Sequence, residues 1–221
     1  MKFITFLNSG CVDICVNMLT SATKVGLDID DFIIACLDNQ SYEKMKKYSG
    51  TFLYKNQEVT EYQNWSFDET SEFRKIVKSK WNVIKKIYEQ HKELCWVDTD
   101  IVFVQNPLKF IQNNDKILFQ CDRPGSLICS GFMVFNNTDA CNSMINECGE
   151  NETEDDQILI NQIVLSKYPN DAALLDIELF PNGHLYYSQG MKSKAVIVHN
   201  NHMVGMETKI NKFREEGLWY L

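Results

Sequence analysis

Short apolar runs alternate with stretches of helical periodicity along the whole chain, the trace that βα units leave in a sequence. Phe3–Leu7 predicts a buried strand, closed by a turn at Asn8-Ser9-Gly10. From about Val12 to Lys24 the apolar positions recur at helical spacing, and Phe32–Leu37 predicts a second buried strand, with a short third at Thr51–Tyr54. The clearest amphipathic helix covers about Thr70 to His91, with Phe73, Ile76, Val77, Trp81, Ile84, Ile87 and Tyr88 on one face and lysines elsewhere. Its partner strand, Leu94–Val97, runs straight into Asp98-Thr99-Asp100. Beyond it the pattern predicts strands at Ile101–Val104, Ile117–Gln120 and Phe132–Phe135, with a turn of helix initiated by Pro107. Helices follow around Asp139–Cys148 and Asp155–Lys167, then a late strand at Ala195–Val198 and a closing helix over Glu207–Glu216, stopped by Gly217. Three early βα units favour an α/β sandwich on a mostly parallel central sheet, in which ligands bind beyond the carboxyl ends of the strands. A chain of 221 residues without repeats or linkers is expected to form a single domain.

Charge and cysteine usage narrow the class. Lys and Arg number 22 against 30 Asp and Glu, a formal net charge of −8. That sign argues against a nucleic-acid grip, and it means that a phosphate-bearing ligand needs a local cation to cancel repulsion. The eight cysteines sit largely inside apolar runs and form no C-x-x-C pair, so they read as small core residues of a reducing compartment, and zinc is not expected. The apolar part of the first ten residues is too short for a signal peptide, and no apolar run approaches the ~20 residues of a membrane span. A soluble, cytoplasmic protein is the expectation, with the sequon Asn136-Asn137-Thr138 left unmodified.

The segment Cys95-Trp96-Val97-Asp98-Thr99-Asp100-Ile101-Val102-Phe103 carries the chemistry: an apolar strand delivers two carboxylates at positions i and i+2. In extended geometry both leave on one face and can reach one cation. Hard oxygen ligands suit Mg²⁺ or Mn²⁺, which could hold a diphosphate that an acidic protein otherwise repels. Taken alone, the same segment is equally a turn with a capping aspartate, and a second copy, Asp28-Ile29-Asp30, reads as solvated charge on a surface turn. His199 also ends an apolar strand and is followed by Asn200, Asn201, His202, Gly205 and Lys209. An imidazole beside two carboxylates makes a mixed N/O site better suited to Mn²⁺ than to Mg²⁺. Gly205 could allow close backbone approach to a phosphate, and Lys209 could neutralise one; a hydrogen-bonded strand-end histidine and a solvated lysine are the plainer alternatives.

Trp96-Val97-Asp98-Thr99-Asp100-Ile101-Val102-Phe103 with Asn106-Pro107-Leu108 resembles the nucleotide-diphospho-sugar transferases of the GT-A fold, in particular glycosyltransferase family 77 and small glycosyltransferases of large DNA viruses. Supporting segments are Ser130–Val134, Asp155–Asn161 and His199 through Gly205 and Lys209 to Tyr220, so the likeness runs from about Phe73 to the C-terminus. The resemblance implies a GT-A sandwich whose residues to about 100 bind nucleotide, with an acceptor and catalytic half over 101–221. It implies Asp98, Asp100 and His199 as ligands of Mn²⁺ or Mg²⁺, with Asp98 shared with the ribose. Gly205 and Lys209 would meet the diphosphate, Asn8 the base and Lys80 the donor. The Ser130-Gly131 turn would line the donor sugar or acceptor, and Asp156-Gln157 the reacting centre. Lys80 has a plainer reading, since 19 of the 22 basic residues are Lys and most are solvated, and Asp156, preceded by Glu152, Glu154 and Asp155, is equally the charged start of a helix. The implied partners are a nucleotide-diphosphate sugar, with UDP the nucleotide expected, and a carbohydrate or glycoprotein acceptor, with retention of configuration favoured and host cytoplasm expected if the chain is viral. Two alternatives stand beside it: a phosphatase of the haloacid-dehalogenase type using Asp98 and Asp100, and a non-catalytic nucleotide-sugar-binding module.

Overall fold

A computed structural model describes residues 1–54, 71–111, 115–123, 127–151 and 155–221, with side chains from residue 79 onward in the helix that opens at Ser71. The side chains of Phe73, Ile76 and Val77, and residues Thr70, Glu152 and Glu154, lie outside the described residues. The strands are β1 (Lys2–Leu7), β2 (Phe32–Cys36), β3 (Thr51–Leu53), β4 (Leu94–Val97), β5 (Ile101–Phe103), β6 (Ile117–Arg123), β7 (Leu127–Phe135), β8 (Ala172–Leu174) and β9 (Ile197–His199). The helices are α1 (Val12–Lys24), α2 (Asn39–Met45), α3 (Ser71–Tyr88), α4 (Leu108–Ile111), α5 (Asp139–Glu150), α6 (Asp156–Lys167), α7 (Gly183–Ser188) and α8 (Met206–Glu215). Seven strands make the central sheet in the order β3-β2-β1-β4-β7-β6-β8. Its neighbours run parallel except where β7 pairs with β4 and β6, so the sheet is mostly parallel, as expected.

Alternation along the strands fills two cores. Phe3 and Leu7 of β1, Cys95 and Val97 of β4, and Phe132 and Val134 of β7 face the layer that contains α1, with Phe213 of α8 in the same cluster. Ile4 and Phe6, Leu94 and Trp96, and Met133 and Phe135 face the opposite layer, where Trp81, Ile84, Ile87 and Tyr88 of α3 pack with α5 and α6. Full burial of each such side chain is worth about 1.5–3 kcal/mol.

The loops at the carboxyl ends of the strands are tied together locally. Asn8 Oδ1 accepts from Gly10 N (3.1 Å), turning the chain out of β1. The Asp38 carboxylate caps α2 by accepting from Ser41 N (2.6 Å), and its second oxygen accepts from Ser9 N (2.7 Å), which joins the ends of β1 and β2. Asp28 accepts from Asp30 N in an exposed turn, the solvated role expected of the second D-x-D copy.

Pairing register then builds the site. Val97 opposes Phe132, so the chain leaving β4 runs beside Gly131, whose carbonyl accepts from Asp98 N (2.8 Å). A separate antiparallel pair, β5 with β9, sets Ile101 opposite His199, and Asn200 N donates to Asp100 O (3.0 Å). Segments about one hundred residues apart in the chain are thereby fixed against each other.

Candidate metal and donor site

Asp98, Asp100 and His199 converge, each offering a ligand atom, and these atoms lie within 4.8 Å of one another. His199 Nε2 is 3.4 Å from Asp100 Oδ1 and 4.0 Å from Asp98 Oδ2. The other Asp100 oxygen accepts from Lys209 Nζ at 2.6 Å, so one carboxylate faces the imidazole with one oxygen and the ammonium with the other. Asp98 Oδ1 accepts from the Trp96 indole N–H (2.7 Å). A cavity of about 410 Å³ opens over the three.

Burial sets the electrostatics. At His199, 1% exposed, desolvation opposes the charge, but the Asp100 carboxylate outweighs it and raises the imidazole to about 10. At Asp100 burial alone would raise the carboxyl, yet Lys209 and then His199 hold it well below the usual carboxylate range. Lys209 is raised for the reciprocal reason: desolvation is overcome by Asp100. A divalent cation would meet two hard oxygens and one imidazole nitrogen here, a donor set that fits Mn²⁺ or Mg²⁺. The backbone makes room for one. A Cβ at Gly131 would fall 2.1 Å from His199 Cε1 and 2.9 Å from Asp98 Oδ2, so the space beside the ligands exists only because residue 131 has no side chain. Gly131 lies within β7 rather than in the turn expected for Ser130-Gly131, and what it adjoins is the carboxylate–imidazole cluster.

Lys80 is not a solvated lysine. It is 3% exposed, and its ammonium sits 2.6 Å from Asp156 Oδ2, 3.4 Å from Asp98 Oδ1 and 5.1 Å from the centroid of the Trp96 ring. Desolvation opposes its charge, and Asp156 with Asp98 more than restores it, so the ammonium is raised. The two aspartates at the start of α6 divide the roles that the sequence left open. Asp155 caps the helix, accepting from Gln157 N (2.9 Å) and Ile158 N (3.2 Å), while Asp156 pairs with Lys80, and both border the cavity. Gln157 also lines it, with Nε2 3.4 Å from Asp122 Oδ2.

Of the nine residues singled out in the sequence, Lys80, Asp98, Asp100, Asp156, Gln157, His199 and Lys209 border one cavity. Asn8 and Gly205 do not. Asn8 is buried, with Oδ1 spent on the turn after β1, and Phe6 and Cys11 border the cavity in its place. Burial pushes the Cys11 thiol up to about 12, so it acts as an apolar wall. Gly205 has φ +89° at the start of α8, and a Cβ there would meet nothing closer than Thr208 Oγ1 at 3.7 Å. That positive φ is one a glycine adopts without strain. Asp122 escaped the sequence reading: it lies near the end of β6 with no motif around it, yet its carboxylate accepts from Asn201 Nδ2 (3.1 Å) and faces Gln157.

Comparison with known proteins agrees with this geometry. The family profile described as nucleotide-diphospho-sugar transferase matches residues 28–213. The UDP-galactose:fucoside alpha-3-galactosyltransferase of Dictyostelium discoideum is 25% identical over 279 aligned positions, covering 100% of this chain and 43% of the relative. A UDP-D-xylose:L-fucose alpha-1,3-D-xylosyltransferase of Arabidopsis thaliana is 25% identical over 170 positions, covering 61% of this chain and 46% of the relative. The chain thus spans less than half the length of these curated relatives. Among solved structures, the glycosyltransferase GlyE of Streptococcus pneumoniae superposes with a TM-score of 0.54 at 12% identity, over 100% of this chain and 64% of that one. A glycosyltransferase involved in glycosylating the major capsid protein of PBCV-1 superposes with a TM-score of 0.53 at 12% identity, over 99% of this chain and 98% of that one. At such identities the likeness is one of fold, a GT-A-type α/β/α sandwich.

Proposed function

The chain belongs to the nucleotide-diphospho-sugar transferase family, and from that premise we propose that it is a metal-dependent glycosyltransferase moving a hexosyl or pentosyl group from a UDP-sugar to a hydroxyl of a glycan or glycoprotein. The observation that carries this reading is the convergence of Asp98, Asp100 and His199 beneath a cavity bordered by Lys80 and Lys209. Residues to about 100 would hold the donor and those from about 101 the acceptor and catalytic groups. Asp98, Asp100 and Nε2 of His199 would ligate Mn²⁺ or Mg²⁺. Bound there, the ion supplies Lewis-acid neutralisation of the charge that develops on the departing diphosphate. Lys209 adds a fixed positive charge at the same place. In the transfer the bond between the anomeric carbon and the diphosphate oxygen breaks, a bond from that carbon to the acceptor oxygen forms, and the acceptor proton leaves with the nucleoside diphosphate.

The Lys80–Asp156 pair favours retention. Asp156 Oδ2 is engaged by a buried ammonium at 2.6 Å, so that oxygen is committed elsewhere when an acceptor hydroxyl must lose its proton. With the leaving diphosphate as proton acceptor, Asp156 would orient Lys80 and the donor sugar, and Gln157, 3.4 Å from Asp122, would face the acceptor. Fucosides are the first acceptors to try, and UDP-galactose and UDP-xylose the first donors, because the relatives' names carry them.

The test is a thermal-shift series with those two donors, each with and without Mn²⁺, followed by product assays. A ligand at 100 times its Kd adds about 2.7 kcal/mol, roughly 5–10 °C for a domain of this size. A shift that needs both nucleotide sugar and Mn²⁺, lost in Asp100→Ala together with donor hydrolysis, supports the proposal. Turnover of simple phosphate esters would favour the phosphatase alternative, and tight UDP-sugar binding with no turnover across acceptors would favour the binding module.

A further inference from the structure

Gln120 of β6 is fully buried, and each polar atom of its side chain is engaged. Its Nε2 lies 3.2 Å from the Phe180 carbonyl and 3.0 Å from the Pro181 carbonyl. Its Oε1 lies 2.7 Å from His199 Nδ1. Two backbone carbonyls accept and cannot donate, so the amide end that faces them must be the NH₂ group. That leaves Oε1, purely an acceptor, against Nδ1, which must therefore carry the hydrogen. Cys129 Sγ, at 3.7 Å from the same ring nitrogen, is the weaker contact. With Nδ1 protonated, a neutral His199 has its lone pair on Nε2, the atom 3.4 Å from Asp100 and 4.0 Å from Asp98. The opposite tautomer would set two lone pairs face to face in a site closed to water.

We propose that Gln120 is the positioning residue of the cation site: clamped by the Phe180–Pro181 backbone, it fixes the ring and tautomer of His199 so that Nε2, not Nδ1, is presented to a metal ion. The proposal rests on Asp98, Asp100 and His199 being metal ligands, as proposed above. The clamp acts at a second point, because the neighbouring Asn182 bridges to His199 in a parallel β-pair. Partners that orient a ligating histidine in this manner change metal affinity roughly 10–100-fold when removed.

The experiment measures Mn²⁺ affinity by the loss of the free-ion electron paramagnetic resonance signal, in the wild type, Asp100→Ala, Gln120→Leu and Gln120→Glu. It also records the His199 tautomer by long-range ¹H–¹⁵N spectra of the Mg²⁺-loaded protein. The expected result is a roughly 10–100-fold weaker affinity in Gln120→Leu, an affinity between those of wild type and Gln120→Leu in Gln120→Glu, which keeps an acceptor toward Nδ1 but loses the donors to the Phe180 and Pro181 carbonyls, and protonated Nδ1 in the wild-type spectrum. Equal Mn²⁺ affinity in wild type and Gln120→Leu would overturn the role of Gln120 while leaving the metal site standing. A wild-type protein that takes up no Mn²⁺ would overturn the metal reading itself. Should Gln120→Leu fail to fold, the wild-type spectrum decides, because hydrogen on Nε2 in the Mg²⁺-loaded protein refutes the proposal without any variant.

Discussion

Gly131 is the residue at which a single methyl group should do most harm. Its Cβ would have to occupy the space 2.1 Å from the His199 ring, so Gly131→Ala must push the imidazole by on the order of 1 Å, a displacement that costs roughly 100-fold in rate when it moves a catalytic group. The expected outcome is a folded protein with that loss in Mn²⁺-dependent activity, checked by circular dichroism and donor hydrolysis on the same sample. His199 and Asp100 also make metal-free stability depend on pH in opposite directions. The imidazole, raised from 6.5 to about 10, stabilises the fold fully below about 6.5, and its contribution drains away as pH climbs through 10. The carboxyl, lowered from 3.8, contributes above about 4 and is lost on acidification. Melting in the presence of a chelator should peak between about pH 4 and 6.5, and Asp100→Asn should flatten the alkaline decline relative to wild type. The D-x-D aspartates and His199 were legible because each terminates an apolar run with a charge or an imidazole. Asp122 and Gln120 were not, because a polar residue within or just after a strand gives no sign of what it faces until the strands are paired.

Among the helices and strands, the contact that matters most is the one Lys80 makes, since it joins α3 to the first turn of α6 and to the end of β4. Removing one member of a buried ion pair leaves the other uncompensated, at about 3–5 kcal/mol. Lys80→Met should therefore lower the free energy of unfolding obtained from urea denaturation by that amount, and adding Asp156→Asn should recover part of it. Most strands and the long helices were readable from periodicity, with ends off by a few residues. The elements that escaped were those whose stability comes from neighbours. The α2 sequence, Asn-Gln-Ser-Tyr-Glu-Lys-Met, buries only Ser41 and Met45 and owes its start to the Asp38 cap. The six-residue α7 begins directly after the Asn182 cap, which accepts from Leu185 N. β7 was expected to begin at Phe132, but it extends back to Leu127 because Ser130 and Gly131, turn-like in composition, are held in the strand by their pairing partners.

Taken as one body, the protein closes on itself through its last residues. Asn17, fully buried in α1, donates to the Leu218 carbonyl (3.0 Å) and accepts from Tyr220 N (2.7 Å), while Lys24 sits 4.5 Å from the centroid of the Tyr220 ring. Asn17→Ala strips both partners from buried or half-buried backbone groups, for a loss of about 1–3 kcal/mol. Because this strap follows α8, the variant should also exchange the amides of residues 206–216 faster, as hydrogen–deuterium exchange would register. The architecture and the acidic pair could be foreseen, but not this closure, since nothing in Gly217-Leu218-Trp219-Tyr220 specifies an asparagine two hundred positions away. The 109-residue span between Asp100 and Lys209 has a consequence for biosynthesis. While the polypeptide is emerging from the ribosome, Asp98 can already meet Lys80, but Asp100 stands without the imidazole and the ammonium that face it in the folded protein, so the cluster can close only after about a hundred further residues have been made.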